Sequence, residues 1–366
     1  MGVLKGDARL ACVDLSNFAE RKHEITKQLM EAATTVGFFY VTGHGMSQEK
    51  IDRCFATTEK ILAMEEKPPM QKQSFAYILG WSQEKIAAGA LREALLIGYD
   101  LPRMEGLWPS EKQCPGFKEE MLDFMFACHE VVQMIMECFA RGLGLKEDFF
   151  KDEMRPHHED NMTSMNLNMY PSTEGHTFPP GAQRIWSHTD YEALTLLFQK
   201  PGQTGLEVCS GLTTDRKKAQ EAQWVAFDPV LGAITINIGD SLQYWSDGAL
   251  KSTYHRVRCP TAEDYAGDRY SIAYFANGRA RTILQGPKKK YPPIKFEQIV
   301  AQKSKYLTEE EMTSDDKYVE WQKKTAMGPE FDPVETANND LQDEMPHLVK
   351  PPSSKEEFYN RSTAAA

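Results

Sequence analysis

Short strand-like runs fill the sequence from about residue 160 to residue 280. The runs are rich in β-branched and aromatic residues, lie at fairly even spacing, and are separated by turn residues. This pattern is typical of the strands of a β-sandwich or β-barrel. The runs that carry it are MNLNMY, LTLLF, GLEV, WVAF, AITINI, LQYW, TYHRV and YSIAYFA.

Helices are predicted before this β region. Apolar residues recur at helical spacing from Ala19 to Val36, and FFYV at 38–41 then predicts a short buried strand. Ser47 can cap a second helix, and a long helix is predicted from about 117 to 143. Residues 65–115 show no clear period, which predicts loops and short strands.

The sequence divides into four regions. Residues 8–115 form an N-terminal region of helices and strands, 116–160 a long helix with a linker, and 161–285 the β core. Residues 286–366 form a helical extension followed by a polar tail. The tail is rich in Pro, Asp, Glu and Asn, a composition typical of partly ordered segments.

Composition narrows the class of protein. The 366 residues carry a formal net charge of -11, with lysines and arginines mixed among acids, which disfavours nucleic acid as a partner. The sequence contains no apolar run of membrane-helix length and no signal peptide, and its seven cysteines include no C-x-x-C pair. We therefore expect a cytoplasmic monomer with free thiols that acts on a small molecule without membrane contact.

A histidine and an aspartate stand two residues apart in SHTDYEALTLLF, at His188 and Asp190. On a strand such residues share a face about 7 Å apart, so both can bind one metal ion. His255, in KSTYHRV, can return to the same end of a barrel as a third ligand. Two histidines and one carboxylate suit non-haem Fe(II), with positions left open for a co-substrate and O2, although a zinc hydrolase could use the same ligands.

An arginine and a serine follow in DRYSIAYF, at Arg269 and Ser271. They are again two residues apart, so a planar guanidinium and a hydroxyl share one strand face, a combination suited to a carboxylate. Tyr170, in the earlier run NLNMYP, can add another donor to the same anion. The combination favours an iron oxygenase over a zinc hydrolase.

The ordered combination H-x-D, H and R-x-S resembles the isopenicillin N synthase-like family of Fe(II)/2-oxoglutarate-dependent dioxygenases, over roughly residues 10–300. Further likeness lies in VDLSNF, VGFFYVTGHG, LREALLIG, NLNMYP and NIGDSLQYWSDG. Within the family, KSTYHRV and RYSIAYFAN most resemble thymine 7-hydroxylase and fungal oxygenases of secondary metabolism. The resemblance implies an α+β fold with a double-stranded β-helix (jelly-roll) core and flanking helices.

The resemblance also implies a reaction and residue roles. Fe(II) would be held by His188, Asp190 and His255. The co-substrate 2-oxoglutarate would be converted with O2 to succinate and carbon dioxide while a C–H bond of the substrate is oxidised. Hydroxylation, desaturation and ring expansion are all compatible with these residues. The residues implied for 2-oxoglutarate are Arg269, Ser271, Tyr170 and Asn168.

Substrate contacts are predicted from strand faces and by analogy. Arg184 shares a face with His188, so we predict that it grips an oxygen of the primary substrate. Phe275 shares the face of Arg269 and is predicted to pack against a flat part of the substrate. Further candidate contacts are Asn277, Tyr77 and Trp245.

Two features leave the substrate open. The chain has Ala76-Tyr77 and Arg92-Glu93 where relatives often have Gly-Tyr and Lys-Glu, and the segment between His255 and Arg269 is longer than usual. An oxidase of the isopenicillin N synthase type, which needs no 2-oxoglutarate, stays an alternative because it can use the same Arg-Ser pair for a substrate carboxylate. A scaffold that only binds a partner is disfavoured because all three metal ligands are present.

Overall fold

The computed structural model describes residues 10–69, 72–74, 77–85, 91–178, 181–209 and 223–304. The polar tail predicted at the C-terminus lies outside these ranges. No helix within the described ranges is long and apolar enough to cross a membrane.

The N-terminal elements follow the prediction closely. They are β1 (Cys12–Asp14), α1 (Phe18–Thr35), β2 (Phe38–Thr42) and α2 (Gln48–Ala63). The side chain of Ser47 accepts a hydrogen bond from the backbone N–H of Lys50, as expected for a residue that caps α2.

Residues 65–115 contain longer strands than predicted. They form β3 (Lys72–Ser74), β4 (Tyr77–Lys85) and β5 (Leu91–Gly98) before α3 (Phe117–Gly142). The second half of β5, Ala94 to Ile97, is a continuous apolar run with buried residues on both faces, so its sequence lacks the alternation that identifies a strand. The helix α3 matches its predicted range.

The remaining elements form the β core and the start of the C-terminal extension. In chain order they are β6 (Ser164–Tyr170), β7 (Gln183–His188), β8 (Leu194–Gln199), β9 (Leu206–Cys209), β10 (Trp224–Ala226), β11 (Ile234–Ile238), α4 (Asp240–Trp245), β12 (His255–Arg258), β13 (Arg269–Ala276), β14 (Ile283–Leu284), β15 (Ile294–Lys295) and α5 (Phe296–Ser304).

Two sheets enclose the interior of the β core. Within the described ranges the larger sheet has nine strands in the order β1-β2-β11-β8-β13-β6-β5-β4-β3, and the smaller has four in the order β10-β9-β12-β7. A cluster of Phe38 and Tyr40 from β2 with Leu206, Val208 and Phe227 packs the two sheets together. The predicted jelly-roll core with flanking helices is confirmed.

One predicted strand is a helix. The run LQYW lies in α4. Gly239, the residue before this helix, packs closely against the loop after β7. A Cβ at Gly239 would lie 2.1 Å from the carbonyl oxygen of Glu192, so only glycine fits. The backbone N–H of Asp240 also donates to the carbonyl of Asp190, which holds the start of α4 against the loop that carries this carboxylate.

Candidate active site

The three predicted metal ligands meet at one end of the barrel. His188 is the last residue of β7, His255 is the first of β12, and the two lie directly opposite each other in antiparallel register. The Oδ1 atom of Asp190 lies 3.5 Å from Nε2 of each histidine. One ligand atom from each residue falls within 4.8 Å of the others, which is compact enough for a single metal ion.

Asp190 reaches this position from a loop and not from a strand. The β7 strand ends at His188, so the prediction that His188 and Asp190 share a strand face about 7 Å apart is wrong in its geometry. A turn after the strand brings the carboxylate next to both imidazoles. The ligand set is therefore closer together than a strand alone would place it.

Two buried side chains orient the carboxylate of Asp190. Thr195 Oγ1 donates to Oδ2 at 2.6 Å, and Asn237 Nδ2 donates to the same oxygen at 2.7 Å. Because both donors occupy Oδ2, the other oxygen, Oδ1, is turned towards the histidines. Partners of this kind fix the geometry of a metal ligand and tune its affinity.

The electrostatics favour an ionised Asp190. Burial opposes ionisation of the carboxylate, but charge on His255 and hydrogen bonds from His188 and His255 hold the pKa of Asp190 well below its usual range. A carboxylate with two imidazole nitrogens is a donor set that Fe(II) accepts. These residues therefore fit a non-haem iron ion.

We predict that Thr195→Val lowers the affinity for Fe(II) about tenfold, because one of the two donors that orient Asp190 is lost while side-chain shape is kept. The measurement is an anaerobic titration of the protein with Fe(II). Thr235→Val is the matched control, since Thr235 is similarly buried on β11. Its hydroxyl accepts a hydrogen bond from Gln199, whereas that of Thr195 donates to Asp190. Equal affinity in Thr195→Val and the control would contradict the role assigned to Thr195.

The predicted 2-oxoglutarate residues line two paired strands. Arg269 and Ser271 of β13 lie directly opposite Tyr170 and Asn168 of β6, so all four side chains share the inner face of the larger sheet. In the sequence MNLNMY, Asn168 and Tyr170 are two residues apart, which already placed them on one face of the strand. All four residues are buried, and the guanidinium of Arg269 lies over the ring of Tyr170, 5.0 Å from its centre.

Arg269 keeps a hydrogen-bonding group without a protein partner. Its Nη2 donates to Gln199 at 3.1 Å and its Nε donates to the carbonyl of Thr204 at 3.2 Å, but its buried Nη1 has no partner. Burial lowers the pKa of Arg269. A buried guanidinium with a free N–H is suited to a carboxylate ligand, which supplies both the missing acceptor and the missing charge.

Phe275 lies at the level of the metal ligands. It pairs with Thr195 across β13 and β8, and Thr195 contacts Asp190. Side chains directly opposite each other in an antiparallel pair share a face, so Phe275 projects towards the triad from the larger sheet. The side chain is only partly buried, as expected for a residue that lines an open pocket.

Arg184 is buried, as its strand position predicts, but it lies away from the metal. Its guanidinium lies over Tyr170, 5.6 Å from the ring centre, and its Nη2 donates to the carbonyl of Pro171. Arg184 lies four residues before His188, near the other end of β7. The structure therefore brings Arg184 next to the 2-oxoglutarate residues and not next to the triad.

Two predicted substrate contacts have structural roles. The amide of Asn277 accepts from the backbone N–H of Ala193 and donates to the carbonyl of Met162, so it ties the start of β8 to the segment before β6. Trp245 packs edge-on against Phe150, with ring centres 4.7 Å apart, in the hydrophobic core. These contacts give both side chains a structural role, and their predicted contact with substrate stays a prediction. The side chain of Tyr77 lies outside the described residues.

Several residues of the site were not predicted. Ser164 and Asn166 precede Asn168 at two-residue spacing on β6, and both carry a buried oxygen without a partner. The alternation in SMNLNMY could have identified them, since it places them on the face of Asn168. Thr195 and Asn237 gave no local indication, because their contact with Asp190 depends on the pairing of β8 with β11.

Family models match two parts of the chain. The 2OG-Fe(II) oxygenase superfamily matches residues 151–278, and the N-terminal region of non-haem dioxygenases in morphine synthesis matches residues 10–115. The first match covers the strands that carry the triad and the Arg-Ser pair.

Fungal proteins are among the similar sequences. A proline hydroxylase of Petromyces alliaceus is 32% identical over 287 residues, which span 73% of this chain and 86% of the relative. A 2-oxoglutarate-dependent dioxygenase of Didymella fabae is 30% identical over 295 residues, which span 74% of this chain and 84% of the relative.

Solved structures share the fold. The thymine 7-hydroxylase of Neurospora crassa, in complex with alpha-KG (2-oxoglutarate) and thymine, superposes with a TM-score of 0.71 at 28% identity, covering 82% of this chain and 98% of that chain. A 2OG-Fe(II) oxygenase family protein from Caulobacter crescentus, at 22% identity, superposes with a TM-score of 0.67.

These matches confirm the predicted enzyme class, fold, iron and 2-oxoglutarate, and they favour the 2-oxoglutarate-dependent enzyme over the oxidase alternative. The likeness to the proline hydroxylase extends over most of both chains. The chain therefore belongs to the 2OG-Fe(II) oxygenase superfamily.

Proposed function

We propose that this dioxygenase holds its iron with His188, Asp190 and His255 and uses it to oxidise a C–H bond of a small molecule seated against Phe275. The co-substrate lies deeper in the barrel, against the inner faces of β6 and β13. Its distal carboxylate binds the guanidinium of Arg269. The other residues of this co-substrate site are Ser271, Tyr170 and Asn168.

The observation that carries this proposal is the unpartnered Nη1 of Arg269. A buried cation with a free donor is costly unless a ligand completes it. At its far end 2-oxoglutarate has one carboxylate. Its two oxygens can accept hydrogen bonds from the planar guanidinium, and its negative charge neutralises the cation. The position of Arg269 on the same sheet face as Phe275 connects this carboxylate site with the metal site.

Each part of the pocket has a separate task. When bound, iron with 2-oxoglutarate and O2 supplies the oxidant for the C–H bond. Thr195 and Asn237 keep Oδ1 of Asp190 directed at the metal position. Arg269 fixes the depth of the co-substrate, and Phe275 limits the space in which the substrate can lie beside the metal.

We propose a neutral or weakly polar substrate that presents hydrogen-bond donors to β6. Ser164 pairs with Phe275 across β6 and β13 and therefore lies at the level of the metal ligands. Asn166 follows two residues later on the same face, and its Oδ1 lacks a partner. Heterocycles and amides of secondary metabolism or nucleobase metabolism combine a flat face with N–H donors and fit these residues.

The proposed setting is cytoplasmic, and the proposed form is a monomer that does not bind nucleic acid. The net charge of -11, with acids and bases mixed along the chain, disfavours a polyanionic partner such as nucleic acid.

A substrate panel tests the proposal. The iron-loaded protein with 2-oxoglutarate is screened with thymine, proline and other flat heterocycles and amides, and succinate is measured with each compound. We expect one chemical class to raise succinate formation above the rate without substrate and to yield an equal amount of oxidised product. Turnover of a substrate with O2 but without 2-oxoglutarate would instead support the oxidase alternative.

We predict that Phe275→Ala raises the KM for the substrate about tenfold, because the lost ring removes about 1.5 to 3 kcal/mol of apolar contact. Conversion of 2-oxoglutarate to succinate without substrate should stay within twofold, since Phe275 is not among the residues proposed to bind 2-oxoglutarate. Phe126→Ala, at a partly exposed phenylalanine of α3, is the control. An unchanged KM would remove Phe275 from the substrate site.

A further inference from the structure

Two guanidinium groups flank one tyrosine ring inside the barrel. The Cζ atom of Arg269 lies 5.0 Å from the centre of the Tyr170 ring, and that of Arg184 lies 5.6 Å from the same point. The two arginines come from different sheets, because Arg269 is on β13 and Arg184 is on β7. Both sheets therefore contribute a cation to the same end of the pocket.

Neither cation is neutralised by the protein. Both side chains are buried, and neither forms an ion pair with a carboxylate among the residues that the structure describes. Arg184 keeps a free Nε and Arg269 keeps a free Nη1. Asp268 exerts an attractive field on Arg184, but its Oδ1 accepts from the backbone N–H of Ser172.

Two buried like charges near the same ring are unfavourable without an anion. Burial lowers the pKa of Arg184, and the positive charge of Arg269 lowers it further. The predicted role of Arg184 as a substrate anchor does not account for this arrangement, because Arg184 and Arg269 lie over the same ring, that of Tyr170, which belongs to the proposed co-substrate site.

We propose that Arg184 is a second cationic residue of the co-substrate site and that, with Arg269 and Tyr170, it binds the distal carboxylate of 2-oxoglutarate. This inference rests on the proposed function of the same pocket. Arg184 then acts in the selection of the co-substrate, because only a 2-oxo acid with a second carboxylate supplies the negative charge that both guanidiniums require.

The test compares two 2-oxo acids that differ only at the far end. In 2-oxopentanoate, a methyl group replaces the distal carboxylate of 2-oxoglutarate, while the 2-oxo acid group that chelates iron is the same. Affinities are measured by anaerobic calorimetric titration of the iron-loaded protein. We expect Arg184→Ala and Arg184→Gln to weaken 2-oxoglutarate about tenfold or more and to leave the affinity for 2-oxopentanoate unchanged.

Arg184→Lys serves as the third variant, because it keeps the charge and the long side chain. It should recover part of the affinity for 2-oxoglutarate but not all of it, since an ammonium lacks the planar fork. Arg53→Ala, at an exposed arginine of α2 that pairs with Glu49, is the matched control and should bind both acids as the unchanged protein does.

Four results would overturn the inference. Unchanged 2-oxoglutarate affinity in Arg184→Ala, with product formation lost, would return Arg184 to the substrate. Equal weakening of both acids would mean that Arg184 only supports the fold around Tyr170, and so would unfolding of all three Arg184 variants. Failure of the unchanged iron-loaded protein to bind 2-oxoglutarate would contradict the proposed function itself.

Discussion

Replacing His255 by alanine is expected to abolish iron binding and turnover together. His255 supplies one of three protein ligands, and its Nε2 lies 3.5 Å from Oδ1 of Asp190. Two remaining ligands hold Fe(II) poorly, so we expect affinity to fall by about 100-fold or more, beyond the effect of losing a residue that merely orients a ligand. The measurements are iron content after dialysis and succinate formation at saturating 2-oxoglutarate.

The matched control is His23→Ala. His23 lies on the exposed surface of α1, so its loss removes an imidazole without touching the site. The control should bind one iron per chain and keep full activity. Full activity in His255→Ala would show that the iron site has been assigned to the wrong residues. His188→Ala should behave like His255→Ala, because the two imidazoles face each other with ring centres 4.2 Å apart.

Arg269→Ala is expected to weaken 2-oxoglutarate about tenfold to a hundredfold. A charge-assisted contact to a carboxylate contributes about 1.5 to 3 kcal/mol, which corresponds to that range of affinity. The observable is the concentration of 2-oxoglutarate that gives half-maximal succinate formation, together with its anaerobic binding. Arg269→Lys should restore only part of the affinity because the ammonium cannot form two parallel hydrogen bonds.

Iron binding provides the internal control for Arg269→Ala. The carboxylate of Asp190 is oriented by Thr195 and Asn237, whereas the hydrogen bonds of Arg269 go to other residues, so Fe(II) affinity should be unchanged. Loss of iron affinity as well would indicate a general disturbance of the barrel. Unchanged 2-oxoglutarate affinity would favour the oxidase alternative, in which the Arg-Ser pair binds a substrate carboxylate.

Local sequence patterns predicted the elements whose periodicity is clear. The helix expected at about 117 to 143 is Phe117–Gly142, and the cap at Ser47 is present. The pattern was insufficient for LQYW, which resembles a strand but forms α4, because the contact of Gly239 with Glu192 is made by a distant part of the chain. It was also insufficient for β5, where burial on both faces removes the alternation.

The candidate metal and co-substrate residues could be named from residue types in order along the chain. A histidine and an aspartate two residues apart, a later histidine and an R-x-S pair restrict the chemistry before any contact is known. The alternation of β6 and β13 also determined which side chains share the face of Arg269. Such periodicity is local, since it depends only on the two-residue repeat of an extended backbone.

Only the tertiary structure decided which of these side chains meet. His188 and His255 are opposite each other because β7 pairs with β12, and Asp190 joins them through a turn. Arg184 and Arg269 both lie over the ring of Tyr170, although one is on the smaller sheet and the other on the larger. Pairing register and sheet packing involve residues far apart in sequence, so local spacing defines the faces of each strand but not the side chains that those faces contact.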